Sequence, residues 1–389
     1  MYRIRTFNKI SPVGLNRLDP ALYAVSDSET DEDAILVRSA KLLDMEFNPS
    51  LLAIARAGVG VNNIPLDRCA AAGIPVFSTP GANANAVKEL VVCAMLMSSR
   101  DIPGAIRWVR EQAASGVEVA TVVEKGKSAF VGPELYKKTL GIIGLGAIGS
   151  IVANTAISLG MDVYGYDPFL SVDTALRLDR HVHVVKDIND LYKRADYVTL
   201  HIHYTGKTAH MIDADAIAAM KRGVRVINLA RGEIVDDEAI LAALDTGKVA
   251  VYVTDFPNNR LLTAPHVIAM PHLGASTPES EQNCAAMAVD ELTDYLENGN
   301  IRRSVNLPDM VMDRSGVERL CILHKNVPGM LANITSLFGR DGVNVENLSN
   351  KSRGEYAYTM VDLGTKVAER VIEDVQHMAN VIRVRVLEW

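Results

Sequence analysis

The chain has 389 residues, 48% of them hydrophobic and 22% charged, and a formal net charge of -7. That length suggests two or three domains, and the ordinary balance of apolar and charged residues argues against extended disorder. Net acidity excludes generic nucleic-acid affinity, which rests on Lys and Arg neutralising phosphates, and favours a small anionic or neutral ligand.

The opening "MYRIRTFNKISPVGLNRL" lacks the continuous apolar stretch of a secretory signal, so a cytoplasmic location is expected. The longest apolar run, residues 90–97, falls far short of the roughly 20 residues a membrane-spanning helix needs. Cys69, Cys93, Cys284 and Cys321 form no CxxC pair, so neither a bound metal nor a disulfide is expected. In chain order, "AILVRS" (34–39), "LLAIARAGVG" (51–60) and "IPVFSTPG" (74–81) read as strands ending in turns, with a helix over 65–72. This is the βαβ rhythm of a parallel sheet. A long helix over 83–97 is expected to lead into a second domain.

The next stretch, "KTLGIIGLGAIGSIVANTAISLGMDVYGYDP" (138–168), carries the most information. A strand over 140–143 runs into Gly144, Gly146 and Gly149, a helix continues to Leu159, and a second strand over 162–166 ends at Asp167. The first glycine allows a tight turn, the second lets a pyrophosphate approach the backbone, and the third lets helix and strand pack closely. The helix N-terminus adds amides and a favourable dipole. Asp167 stands where an acid accepts hydrogen bonds from ribose hydroxyls and repels a 2'-phosphate, so NAD is expected rather than NADP.

Further βα units follow at 195–203, 220–236 and 249–257. In such sheets the ligand crevice lies at the C-terminal ends of the strands, which directs attention to Arg231, to Asp255, and to His272 in "MPHLGAST" (270–277). Arginine offers a planar fork of donors to a carboxylate or polarised carbonyl. Histidine can take a hydroxyl proton while hydride leaves the same carbon. A 2-hydroxy acid beside NAD needs both groups, so Arg231 and His272 are the catalytic candidates.

"GLGAIG", "INLARGEIVD" and "PHLGAST", in this order, resemble the D-isomer-specific 2-hydroxyacid dehydrogenases. "RAGVGVNNIPLD" (56–67), "STPGANANAVKEL" (78–90) and "GNIRRSVNLP" (299–308) resemble the members of that family that oxidise 3-phosphoglycerate with NAD at the start of serine synthesis. The resemblance implies that the amides of Val59 and Gly60 meet the substrate carboxylate together with Arg231. It also implies that Arg56 and Lys127 bind the substrate phosphate and that Asn83 lines the same pocket. Thr79, Ala147, Ile148, Asp167, Ala230, Asp255 and Gly274 match cofactor-contacting positions, with Asp255 on the nicotinamide carboxamide.

One feature departs from the family pattern. Members usually carry a glutamate shortly after the strand that ends at Asp255, and it hydrogen-bonds the catalytic imidazole. Here the stretch reads "VTDFPNNRLLTAPHV", with no glutamate. A carboxylate behind the ring fixes its tautomer and stabilises imidazolium; without one, His272 loses that support or finds it elsewhere. Asp255 is the nearest acid in sequence, and Asn258 or Asn259 could orient the ring without charge.

After a linker over 309–315, the remainder reads strand, helix, strand, strand, helix, strand, a ferredoxin-like βαββαβ order that resembles an ACT regulatory domain. By that resemblance His324, Asn326 and Asn344 hold an amino-acid effector such as serine. The expected fold class is α/β, with two doubly wound parallel-sheet (Rossmann-like) domains and a C-terminal ferredoxin-like ACT domain. The expected boundaries are 1–96 with 275–306 for a discontinuous substrate domain, 97–274 for the NAD domain and 316–389 for the ACT domain. Exposed edges of a small sheet invite pairing between chains, so a homo-oligomer, dimer or tetramer, is expected. Two alternatives stay open: another D-2-hydroxy acid as substrate, and a non-catalytic NAD-sensing protein.

Overall fold

The computed structural model describes residues 1–389. The chain forms two compact units, residues 83–280 and residues 1–82 with 281–389.

The 83–280 unit is built on a seven-stranded sheet whose order is Val267–Ala269, Val249–Thr254, Val224–Asn228, Tyr197–Leu200, Thr139–Ile143, Asp162–Tyr166 and Val182–Val185. All neighbours are parallel. Chain order reverses beside Thr139–Ile143, which makes its C-terminal end the topological switch point of a doubly wound sheet. The strands read as apolar runs because helices cover both faces. Helix Ala84–Ser99 belongs here: Val87, Val91 and Met95 share a core with Leu140, Ile142, Val152 and Val163. The compact units divide at 82/83, because this helix buries its apolar stripe against the dinucleotide-type sheet, and again at 280/281. Helices Ile102–Ala114 and Val119–Gly126 follow, burying only Gly104 between them.

The other unit carries a five-stranded parallel sheet, ordered Tyr23–Ser26, Tyr2–Phe7, Ala34–Val37, Ala53–Arg56, Val76–Phe77. Helix Pro278–Asn298 packs Ala285, Ala288, Val289 and Leu292 into the core with Ile4, Leu36 and Ala53. The C-terminal part of the chain is a four-stranded antiparallel sheet, Val345–Arg353, Tyr356–Leu363, Glu318–Lys325 and Val381–Glu388 in spatial order, with helices Met330–Arg340 and Glu369–Gln376. Its element order is the expected βαββαβ. The alternation of a strand sends Leu320, Ile322, Val361 and Leu363 to the helix side, and Cys321, Leu323, Tyr358 and Met360 to the core of residues 1–82. Met310 and Met312, within the linker region, are buried in that same core.

Helix Pro278–Asn298 also buries a carboxylate. Glu291 is 2% exposed, bonded to Arg303 through one oxygen and unpartnered at the other. Burial pushes its carboxyl from 4.5 up to about 7, against the opposing pull of Arg303. The folded-state value exceeds the unfolded one, so this group's contribution to stability is fully present below 4.5 and is lost as pH rises through about 7. Glu291→Gln is expected to flatten the fall of stability across that window and to stabilise the chain at pH 8 by about 1–3 kcal/mol. Urea unfolding at pH 5 and pH 8 checks this, and parallel pH dependence in variant and wild type would contradict it.

Candidate active site

The glycine turn follows strand Thr139–Ile143. Gly144 has φ +91, and a side chain there would meet the His201 carbonyl oxygen at 2.4 Å. A side chain at Gly149 would meet the Gly144 carbonyl oxygen at 1.9 Å, whereas one at Gly146 would meet nothing within 4 Å. Gly144 and Gly149 are thus demanded by the fold, and Gly146 leaves open space at the start of helix Ala147–Ser158, whose N-terminus has no side-chain cap. Uncapped helix amides, including those around Ala147 and Ile148, beside a cradle a Cβ would fill suit a pyrophosphate.

Asp167 ends the next strand and braces the turn. One oxygen accepts from the Leu145 amide at 2.9 Å and the other from the Phe169 amide at 2.9 Å. Each carboxylate oxygen keeps a further lone pair for a ribose hydroxyl. These residues fit NAD. Gly146→Ala is expected to leave thermal stability near wild type and to weaken NAD binding by at least tenfold, whereas Gly149→Ala damages the fold itself. Calorimetric titration with NAD beside thermal melts separates the two, and undiminished affinity in Gly146→Ala would remove the cradle argument.

Three more strand ends converge nearby. Asn228, fully buried at the end of Val224–Asn228, donates to the Arg231 carbonyl at 2.8 Å and accepts from the Ala230 amide at 3.1 Å, fixing the loop that carries Arg231. Arg231 then lies over Phe256, its guanidinium carbon 5.7 Å from the ring centroid. The His272 ring packs on the same Phe256 at 4.6 Å. Asp255, 1% exposed, accepts from the Gly274 amide at 3.3 Å. Burial pushes the Asp255 carboxyl up, opposed by the charge of His272, the Gly274 and Asp255 amides, and Arg231. Arg231 and His272 are thus brought together on one aromatic ring. Neither Asn228 nor Phe256 was singled out from the sequence. The only available signals were an Asn closing the strand before "LARG" and an aromatic directly after the strand-ending acid.

The other predicted residues divide. In the 1–82 part, Arg56 ends strand Ala53–Arg56 and its Nε donates to the Arg38 carbonyl at 2.9 Å. The turn after it holds Gly58, whose carbonyl accepts from the Thr79 amide at 3.1 Å, while Val59 and Gly60 make no backbone hydrogen bond through their amides. Thr79 is buried with its hydroxyl oxygen unpartnered. Asn83 begins helix Ala84–Ser99 with its side-chain oxygen buried and unpartnered. Lys127 is exposed, just after helix Val119–Gly126, and pairs with Glu124 three residues back. His324 is 2% exposed, with Nδ1 bonded to the Lys325 carbonyl at 2.8 Å and Nε2 to the Thr359 hydroxyl at 2.9 Å, so it holds the sheet and presents no ring nitrogen outward. The amides of Asn326 and Asn344 are exposed, bonded to the Gly354 carbonyl at 3.2 Å and to Glu346 at 2.8 Å. A cavity of about 690 Å³ opens beside Phe256, lined also by Glu233, Asp237 and Arg260. Arg231 and His272 do not line it.

A doubly wound dinucleotide unit with an arginine and a histidine gathered at adjacent strand ends defines a hydroxyacid dehydrogenase type of site. Residues 92–274 match the model of the D-isomer specific 2-hydroxyacid dehydrogenase NAD binding domain, and residues 320–383 match an AHAS small subunit-like ACT domain. D-3-phosphoglycerate dehydrogenase of Escherichia coli (strain K12) is 33% identical over 350 residues, 87% of this chain and 82% of that one. The chain therefore belongs to the D-isomer-specific 2-hydroxyacid dehydrogenase family, with an NAD-binding domain and an ACT domain.

D-3-phosphoglycerate dehydrogenase of Bacillus subtilis (strain 168) is 36% identical over 331 residues, 80% of this chain. The chain spans 60% of the length of that relative and 54% of its Methanocaldococcus jannaschii counterpart. Among solved structures, NAD+-bound 3-phosphoglycerate dehydrogenase of Entamoeba histolytica has a TM-score of 0.61 at 25% identity, covering 78% of this chain and 98% of that one. No helix of the chain is long and apolar enough to cross a membrane.

Proposed function

We propose that the chain catalyses NAD-dependent oxidation of 3-phospho-D-glycerate to 3-phosphohydroxypyruvate, the first step of L-serine biosynthesis, in the cytoplasm and as a homo-oligomer. The observation that carries this reading is the meeting of Arg231 and His272 on Phe256. His272 takes the proton of the C2 hydroxyl. NAD, when bound, accepts the hydride that leaves C2. Arg231, joined by the amides of Val59 and Gly60, anchors the substrate carboxylate and the developing ketone. Arg56 binds the phosphate, with Lys127 and Asn83 as further contributors. Thr79, Ala230, Asp255 and Gly274 complete the cofactor surface beside the glycine turn and Asp167. An amino acid such as serine regulates the enzyme at the ACT domain through Asn326 and Asn344, with His324 supporting that strand end from beneath.

The test is NADH formation from 3-phosphoglycerate, with D-glycerate and other D-2-hydroxy acids in parallel, and with serine added in a further series. Arg56→Ala is expected to raise KM for the phosphorylated substrate by about tenfold or more, with little change for D-glycerate. Equal use of phosphorylated and unphosphorylated acids by the wild type would move the substrate elsewhere in the family. NAD binding without turnover of any hydroxy acid would favour a sensor.

A further inference from the structure

His272, three residues beyond strand Val267–Ala269, makes no hydrogen bond from either ring nitrogen, although a ring that shuttles a proton needs a partner for its charged form. Three polar groups lie close in the chain. Asn258 is committed: its amide donates to Asp237 at 2.7 Å, and its oxygen accepts from the Arg260 and Leu261 amides, each at 3.0 Å. Asn259 is exposed on the loop. Asp255 is left.

The strand register places Asp255 beside the histidine segment. Val253 pairs with Ile268 and Thr254 with Ala269 in parallel, and the Met270 amide donates to the Thr254 carbonyl at 3.0 Å. The two chains thus leave the sheet side by side, Asp255–Phe256 on one and Met270–His272 on the other. Phe256 then meets the His272 ring. One Asp255 oxygen is occupied by the Gly274 amide, two residues beyond the histidine, and the other is buried with no partner. A buried carboxylate oxygen without a partner is costly and persists where a cation or donor completes it. Arg231 and His272 lie against the Phe256 ring, and Phe256 also borders the cavity lined by His210, Glu233, Asp236, Asp237, Glu238 and Arg260; of these groups, His272 and Arg231 act on the Asp255 carboxyl.

We propose that Asp255 is the positioning carboxylate of His272, orienting the ring and stabilising imidazolium after it has taken the substrate proton. The role is additional to the cofactor contact assigned to Asp255 above, and it rests on the reading of His272 as the base. The carboxylate supplies through a short side chain at the strand end what the loop 257–260, which holds no acid, does not supply.

The experiment is a histidine NMR titration of the full chain, with the His272 signal assigned by its loss in His272→Gln, for wild type, Asp255→Asn and Asp255→Glu. In Asp255→Asn the His272 midpoint is expected to fall by about one unit or more, with the pH midpoint of kcat/KM falling in step, and Asp255→Glu restores most of both. NAD affinity, measured separately, reports the cofactor role. An unchanged His272 midpoint in Asp255→Asn overturns the proposal even where activity or NAD binding is lost. The wild type supplies a second reading that needs no variant to fold: the Asp255 carboxyl carbon shift should move as His272 titrates, and a flat response overturns the proposal. Absence of turnover on 3-phosphoglycerate would strike the proposed function alone, because the NMR readings require no substrate.

Discussion

His272→Ala is expected to lower kcat/KM for NAD-linked oxidation of 3-phosphoglycerate by about 10²–10⁴-fold, the usual contribution of a positioned general base. NAD affinity should stay near wild type, because the glycine turn and Asp167 lie on other strands of the sheet. The ring packs on Phe256 at an exposed strand end, so its loss opens no cavity and stability should change by less than about 1 kcal/mol. In the wild type, kcat/KM is expected to rise with pH through one ionisation, since the base must be neutral to accept a proton. That ionisation should vanish in the variant. Retention of the same pH profile by His272→Ala would remove the histidine from the chemistry and leave Arg231 and the cofactor surface as a binding site only.

The largest expected effect on stability lies in the C-terminal sheet. Arg319 and Asp362 are both fully buried, joined by Nε to Oδ1 at 2.5 Å and Nη2 to Oδ2 at 2.7 Å. The remaining guanidinium donors reach the carbonyls of Asn298, Met312 and Asp313 at 2.8–3.0 Å, and Asp362 also accepts from the Ser315 amide and hydroxyl, each at 2.9 Å. The pair thus ties the antiparallel sheet to the end of helix Pro278–Asn298 and to the segment between them. Because every polar atom is satisfied, removing one partner strands the other charge in a dry site. Asp362→Leu is expected to cost about 3–5 kcal/mol, and the double change with Arg319→Met to recover much of that loss, since an apolar pair of similar volume avoids the desolvation penalty. Urea unfolding of the single and double variants measures both. Limited proteolysis should cut the single variant first around residues 309–315. A single variant within about 1 kcal/mol of wild type would mean that the pair contributes little beyond the hydrophobic face beside it.

Residues 138–168 were legible because a glycine turn, its strand and its helix lie within one short segment, and each glycine answers a local demand of backbone geometry. The same holds for the antiparallel domain, whose six elements follow from local periodicity. Arg231 and His272 were legible as strand-end residues with matched chemistry. Less was visible where local pattern was weak. Strand Tyr2–Phe7 is a single short run, "YRIRTF", with no turn residue before it, and helices Ile102–Ala114 and Val119–Gly126 leave apolar residues such as Ile102, Ile106, Val109 and Val123 exposed, so their apolar positions do not report a core.

By itself the sequence determined the class of the fold, the nucleotide turn and the element order of the C-terminal domain, because these rest on periodicity and spacing within short segments. Tertiary structure alone decided which unit helix Ala84–Ser99 joins, that the antiparallel sheet shares a core with residues 1–82, that His324 is sealed inward, and that the unpartnered oxygen of Asp255 lies beside the His272 segment. The physical reason is common to all four. Each outcome is set by which distant segments exclude water from one another, and a buried contact between residues far apart in the chain leaves no trace in local pattern.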